Sequence, residues 1–187
     1  MTKRIFDLVL ALASLPLALP IIAICAAAVK LTSPGPAILR QERVGRHEKP
    51  FICYKLRTMY VGTRSAPTHE TPSSSVTPVG KHLRRFKLDE LPQLWNIVRG
   101  EMSFVGPRPC LPSQHELIAA RRKRGVYALR PGITGIAQVK GVDMSVPEKL
   151  AELDATYLDS GSIATDLRLI IMTALGAGQG DRILKRG

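Results

Sequence analysis

Leu8 to Val29 restricts the fold more than any other stretch: 22 residues without a charged side chain, bounded by Asp7 and Lys30. That length meets the requirement for a membrane helix. Pro16 and Pro20 lie near its middle. Each removes a backbone donor and crowds the preceding turn, so a helix here is expected to kink or break. Basic residues flank the stretch on both sides, Lys3 and Arg4 before it and Lys30, Arg40, Arg43, Arg46 and Lys49 after it. Positive charge favours the cytoplasmic side. A straight span would leave one basic flank on the wrong side. A helix that enters, breaks at the prolines and returns keeps both on the same side. Backbone groups freed at the break need local partners, and Ser14 is placed to supply one. Competing readings are a single-pass anchor, a cleaved signal peptide and a buried core helix.

The rest of the 187-residue chain fits one domain with a core of its own. A net charge of +12 predicts polyanionic partners: nucleic acid, anionic lipid head groups or phosphate-bearing substrates. Aromatic residues make up only 5%, thin for a protein that stacks single-stranded bases, and no nucleic acid is expected among the partners. Three widely spaced cysteines (Cys25, Cys53, Cys110) and four scattered histidines build neither a disulfide framework nor a zinc site.

Phe51 to Tyr54 reads as a strand and Gly45 to Lys49 as the turn before it, together a hairpin. Lys55 and Arg57 would share a face of that strand, with Arg57 at a solvated edge. Residues 62–77, rich in Ser, Thr and Pro, read as a mobile loop. Asp89 and Glu90 then stand side by side in a basic run. By residue type they suit a solvated, ion-paired helix face. Pro92, however, places a helix start near Leu88 to Glu90. Unpaired donors and the positive dipole end favour anions there. Leu88, Leu91, Leu94, Trp95 and Val98 would form that helix's apolar face. Gly106-Pro107-Arg108-Pro109 and Arg130-Pro131-Gly132-Ile133-Thr134-Gly135 each fix an arginine with prolines and glycines, suited to forked contacts with phosphate oxygens. Arg121 to Arg124 reads as an exposed basic run. Val146 to Tyr157 reads as a helix with Glu148, Glu152 and Asp154 outward. Asp166 to Leu175 reads as an amphipathic or core helix, and residues 176–187 as a loose tail. The expected fold class is α+β: a mostly helical single domain with a small β-hairpin, a proline-broken re-entrant membrane helix over residues 1–32, amphipathic interfacial helices, and a catalytic domain over residues 33–187.

Several blocks, taken in order, resemble the small monotopic phosphoglycosyl transferases, the bacterial sugar transferase family. They are the basic start with its apolar helix; Tyr54-Lys55-Leu56-Arg57-Thr58-Met59; Leu88-Asp89-Glu90-Leu91-Pro92-Gln93-Leu94; Gly100 through Pro109; and Arg130 through Val139. The resemblance covers nearly the whole chain and is to the minimal form of the family. It implies transfer of a sugar-1-phosphate from a UDP-sugar to polyprenol (undecaprenyl) phosphate, releasing UMP, at the cytoplasmic face of the inner membrane. It puts the family's catalytic carboxylates on Asp89 and Glu90, its lysine on Lys55, and its phosphate-binding arginines on Arg84, Arg108 and Arg130. Mg2+ is the implied cofactor, with Asp89 as its ligand. Asp89 would attack the phosphate nearest the sugar to give an aspartyl phosphosugar, with Glu90 as base or positioning group, and nearby cations would keep Asp89 ionised. Membrane lipids and downstream glycosyltransferases are further implied partners. Two departures stand out: Leu19-Pro20 where the family has Ser-Pro, and Lys87 where it has a small hydroxyl residue. The alternatives are a glycosyltransferase releasing UDP and a basic, membrane-tethered protein that binds anionic ligands.

Overall fold

The apolar stretch forms the middle of one helix, α1, running Thr2–Thr32. The computed structural model describes residues 2–63 and 72–178. At 1.5 Å per residue α1 is about 46 Å long. Helical backbone continues through Pro16 and Pro20, so the prolines do not divide it into two helices. Ser14 also differs from expectation. Its hydroxyl donates to Leu10 O at 2.7 Å, whereas the carbonyls deprived of a donor by the prolines are those four residues before each, Leu12 and Pro16.

Only a narrow stripe of α1 is buried: Asp7, Ala11, Ala18, Cys25 and Val29. The spacing keeps these residues on one side of a helix, and the two alanines let it approach closely. Ile5, Val9, Leu12, Leu17, Leu19, Ile24 and Leu31 point away and are exposed. The most apolar window has a mean hydropathy of 2.6 yet is 11% buried. A core helix would hide that face, so the core-helix reading fails and α1 is a candidate membrane segment.

The stripe packs on the domain along its whole length. Ala11 and Ala18 join Phe51, Cys53, Leu94, Ile97 and Met102 in one core cluster, and Cys25 and Val29 join Leu56 and Leu83 in a second. Both ends are also pinned. Arg4 donates to Ile97 O at 2.6 Å and Val98 O at 3.0 Å. At the other end Arg57 donates to Ser33 O and Oγ, both at 2.9 Å, and to Pro34 O. Arg57 is therefore a buried clamp and not a solvated strand edge.

The hairpin forms as expected. Strand β1 (Ile38–Val44) pairs antiparallel with β2 (Pro50–Leu56). Helix α2 (Pro78–Arg85) starts on Thr77, whose hydroxyl accepts from Gly80 N. Next come α3 (Gln93–Arg99), β3 (Ser103–Val105), α4 (His115–Lys123), β4 (Gly132–Thr134), α5 (Ile136–Val139), α6 (Pro147–Ser160) and α7 (Ile163–Ala174). β3 and β4 pair in parallel. The result is mostly helical with small two-stranded sheets, in agreement with the expected class.

Part of the 62–77 stretch, residues 64–71, lies outside the described residues, as does the tail from 179 onward. The rest of the stretch is tied down: Val76 bridges to Met59 and is buried. Two other expectations are corrected, and the amphipathic or core reading of the last helix holds. The buried side of α3 is Gln93, Leu94, Asn96 and Ile97, while Trp95 is 52% exposed. Arg121 and Asp154, expected outside, form a fully buried pair joining α4 to α6 at 2.7 Å. Helix α7 buries Asp166 and Leu169 and leaves Ile163, Leu167 and Ile171 exposed, so it packs on the core with one side and presents an apolar stripe with the other.

Candidate active site

The site begins at Lys87, which adopts a left-handed backbone (φ 56°, ψ 20°) and ends the segment after α2. A single 3₁₀ turn, Leu88–Glu90, follows, and Pro92 then starts α3. Asp89 and Glu90 thus sit in the short turn before the helix. Each is only 8% exposed. Both line a cleft of about 860 Å³ together with Lys55, Arg84, Lys87 and Arg108.

Each of these cations is delivered by a distinct local device. Lys55 comes from β2, whose register is held by Asn96. The Asn96 amide accepts from Tyr54 N at 3.1 Å and donates to Ile52 O at 2.7 Å. Arg84 comes from α2, which lies so close to the strand end that a Cβ on Gly80 would sit 2.1 Å from Thr58 O. One turn later Arg84 Nε reaches Thr58 Oγ1 at 2.9 Å.

Arg108 comes from the loop after β3, and that loop is clamped on all sides. Gly106 N donates to Thr134 O, and Gly132 N to Pro107 O, each at 2.9 Å. A Cβ on Gly106 would meet Arg130 O at 2.2 Å, and one on Gly132 would meet Gly106 N at 2.2 Å. The two glycine-containing motifs are therefore pressed back to back. Arg121 donates to Arg108 O at 2.9 Å and Arg43 to Pro109 O at 3.0 Å.

The two carboxylates are treated differently. Glu90 Oε1 accepts from Lys55 Nζ at 3.1 Å and from Arg108 Nη2 at 2.9 Å. Asp89 has no hydrogen bond or ion pair of this kind among the described residues. Burial, and then the charge of Glu90, push its carboxyl above the ordinary range, and Lys55, Arg84 and Arg108 oppose that only in part. The expectation that cations dominate at Asp89 is thus reversed in the free protein. Arg84 Nη1 is likewise buried without a partner. A carboxylate without a hydrogen bond and a guanidinium nitrogen without a partner, on two residues of one cleft, are groups that a ligand of mixed charge, such as an anion with its counter-ion, would satisfy.

Arg130 is not brought to this cleft. Its Nε donates to Gly100 O at 2.9 Å, and Arg4 Nη2 lies 3.3 Å from where a Gly100 Cβ would be. Both guanidinium groups sit at the C-terminal end of α3, where cations suit the dipole. Burial and the neighbouring Arg46 and Arg4 lower the Arg130 pKa. Its role here is to join the membrane-helix end of the domain to α3.

A sequence model of the family described as "Bacterial sugar transferase" matches residues 1–179. The chain belongs to that family. It is a phosphoglycosyl transferase. Among curated relatives, the transferase is similar to the UDP-glucose:undecaprenyl-phosphate glucose-1-phosphate transferase of Caulobacter vibrioides. That match has 37% identity and covers 91% of this chain and 67% of the relative. It is also similar to the uncharacterized sugar transferase EpsL of Bacillus subtilis, at 38% identity over 91% of this chain and 84% of the relative. A third relative is the UDP-glucose:undecaprenyl-phosphate glucose-1-phosphate transferase of Escherichia coli, at 39% identity over 91% of this chain but only 39% of the relative.

The site of the transferase was partly readable from sequence. Asp89, Glu90, Lys55, Arg84 and Arg108 converge as expected, and Arg130 does not. Asn96, Arg121 and Asp154, which hold the strand and loop in place, were missed. Asn96 carried one sequence signal, a polar residue inside an otherwise apolar helical repeat.

Proposed function

We propose that the protein moves a sugar-1-phosphate from a UDP-sugar to polyprenol phosphate, giving a polyprenyl-diphosphate sugar and UMP, through a covalent phosphosugar on Asp89. The observation that carries this reading is the contrast within the carboxylate pair. Glu90 is occupied by two cations, while the adjacent Asp89 is buried and open to the cleft. The names of the relatives support the substrate classes.

In the first half-reaction an Asp89 oxygen attacks the sugar-bearing phosphorus. The bridging P–O bond breaks, and its electron pair leaves on UMP. In the second, an oxygen of polyprenol phosphate attacks the same phosphorus and expels the Asp89 carboxylate. A phosphate monoester has its second pKa near about 6 and is largely deprotonated at neutral pH. No general base is then required, and Glu90 acts by holding Lys55 and Arg108 against the diphosphate.

Among the described residues no cluster of three His, Cys, Asp or Glu side chains is present to cage a metal. Magnesium is commonly bound by one or two carboxylates plus substrate phosphates, so the open, buried Asp89 fits it. Held there with the diphosphate, magnesium would offset the negative charge on the phosphates.

Incubating the protein with a UDP-sugar alone should add the mass of one phosphosugar, and Asp89→Asn should abolish both adduct and turnover. Release of UDP, or near-normal turnover by Asp89→Asn, would count decisively against this mechanism.

For the membrane segment we propose that α1, undivided but bent at Pro16 and Pro20, keeps both ends on one face, which would be the cytoplasmic face of the inner membrane. Support comes from the attachment of both its ends to the same domain through Arg4 and Arg57. Cysteines introduced at the exposed positions Thr2 and Lys30 should label from the same side. Labelling from opposite sides would sink the re-entrant reading.

A further inference from the structure

A second group of cations lies outside the cleft, where α1 begins. Arg4, Arg46 and Arg130, from distant parts of the chain, gather there, and carbonyl oxygens aim each of them. Arg4 Nη1 donates to Ile97 O at 2.6 Å, and Arg130 Nε donates to Gly100 O at 2.9 Å. Arg4 Nη2 lies 3.3 Å from where a Gly100 Cβ would be, so both guanidinium groups close on one residue. Arg46 Nε donates to Ala128 O at 2.8 Å, two residues before Arg130. Arg46 also stands on a braced turn. His47 and Glu48, at the tip of the β1–β2 hairpin, have positive φ of 55° and 59°. Lys49 N donates to Arg46 O at 3.2 Å, and Arg122 holds Glu48 at 2.5 Å. Left-handed backbone costs a residue with a β-carbon roughly 1–2 kcal/mol, so contacts across the fold, and not local preference, keep the tip in place.

The helix dipole accounts for Arg4 and Arg130 at the end of α3. It does not account for Arg46, nor for the missing counter-charge. Among the described residues no carboxylate pairs with any of these arginines. Asp7, whose charge favours protonated Arg130, already accepts from Ser103 Oγ and Phe104 N. Burial, then Arg46 and Arg4, lower the Arg130 pKa, as expected of like charges held together. Arg46 and Arg130 each use Nε on a carbonyl, so the terminal nitrogens of both forks are without an acceptor among the described residues.

The surroundings identify the anion that would complete the cluster. Apolar surface starts one residue after Arg4: Ile5, Val9 and Leu12 of α1 are exposed. Lys3 donates to Asp166 at 2.6 Å, which sets the first turn of α7 beside the first turn of α1. The exposed stripe of Ile163, Leu167 and Ile171 therefore begins at the same corner. Cations at the root of two exposed apolar helices match the boundary of a bilayer, where hydrocarbon gives way to lipid phosphates. A soluble anion would gain nothing from the apolar rim.

We propose that Arg4, Arg46 and Arg130 form a headgroup site for the phosphate of an anionic membrane phospholipid, separate from the catalytic cleft. The site takes no part in the chemistry and fastens the root of α1 at the level of the lipid phosphates. It is independent of the covalent reading of Asp89 and rests on α1 lying in the bilayer.

Native mass spectrometry of the full-length protein in neutral detergent reads the phospholipid that each chain retains. Wild type should bind phosphatidylglycerol, which is net negative, in preference to phosphatidylcholine with the same tails. Arg46 is exposed, so Arg46→Gln leaves the core untouched, and Arg130→Gln is the second variant, its fold checked by thermal melting. Each should weaken phosphatidylglycerol binding about fivefold, the share of one arginine near a charged lipid surface. Lys149→Gln removes the same charge from the exposed side of α6 and should leave binding unchanged. The site is overturned if wild type retains the two lipids equally, if either folded arginine variant binds like wild type, or if Lys149→Gln costs as much. Inorganic phosphate that displaces the lipid with equal affinity would assign the cluster to a soluble anion and overturn the lipid reading. A protein that stays monodisperse in water without detergent is a separate failure, which removes the membrane premise itself.

Discussion

Two buried pairs of carboxylates in this molecule have opposite fates. At the root of the membrane helix, Asp7 accepts from Ser103 Oγ at 3.0 Å and Phe104 N at 3.2 Å. Asp166 accepts from Lys3 Nζ at 2.6 Å and from the Tyr157 hydroxyl. Lys3 lies between the two carboxylates, and the cluster fastens α1 to β3, α6 and α7. In the cleft, Glu90 is paired and Asp89 is not. Burial alone therefore does not mark a functional carboxylate. Saturation does: a buried charge whose acceptor sites are filled is part of the structure, and one left open is waiting for a ligand.

Exchanging the losses is the strongest way to break this contrast. Asp89→Asn should cost at least about a thousandfold in turnover, since it removes the attacking group itself. Its stability should hold or rise. The folded-state pKa of Asp89 is raised, so the folded protein keeps a proton that the unfolded chain releases. Stability is therefore lost as pH rises through that window, and the ionised carboxylate opposes folding at neutral pH. Denaturant melts would expose an error in sign.

The reverse case is Asp166→Ala. It should lower stability by about 2 kcal/mol by stranding Tyr157 and half-exposed Lys3. The specific activity of the molecules that remain folded should be close to wild type. A collapse of kcat at unchanged stability would erase the distinction between the two pairs.

The smallest effect is in pH dependence. Only the ionised carboxylate attacks. With its pKa raised by burial and Glu90, adduct formation should begin to fail on acidification at a higher pH than about 3.9, the ordinary aspartate value. An acidic limb at the ordinary position, read from single-turnover adduct formation, would mean that substrate binding fully restores a normal Asp89.

Legibility from sequence followed the range of the interaction. The hairpin was readable because its turn and its strands are neighbours in the chain. The Asp89–Glu90 turn was readable because Pro92 lies three residues from Asp89. Arg121 defeated the reading because a run of four basic residues suggests solvent, and its partner Asp154 is 33 residues away. Trp95 defeated it because α3 turns Asn96 inward to bond Tyr54 N, Ile52 O and Glu101 in preference to the large apolar ring. The break expected at the prolines did not interrupt α1, since each proline removes one donor and the remaining bonds of a long helix stay intact.

By itself the sequence determined that an apolar helix leads a basic domain, that a carboxylate pair sits at a helix start, and that two proline-glycine motifs each fix an arginine. These are local properties, set by hydropathy, backbone dihedrals and capping. Only the tertiary structure decided which arginine of the two reaches the carboxylates. The glycines of the two motifs pack against each other, so their arginines are held apart: Arg108 faces Glu90, and Arg130 faces the end of α3. Only the tertiary structure, too, separated Asp89 from Glu90. The strand and loop that bring Lys55 and Arg108 come from distant parts of the chain, and both arrive on Glu90, leaving its neighbour open.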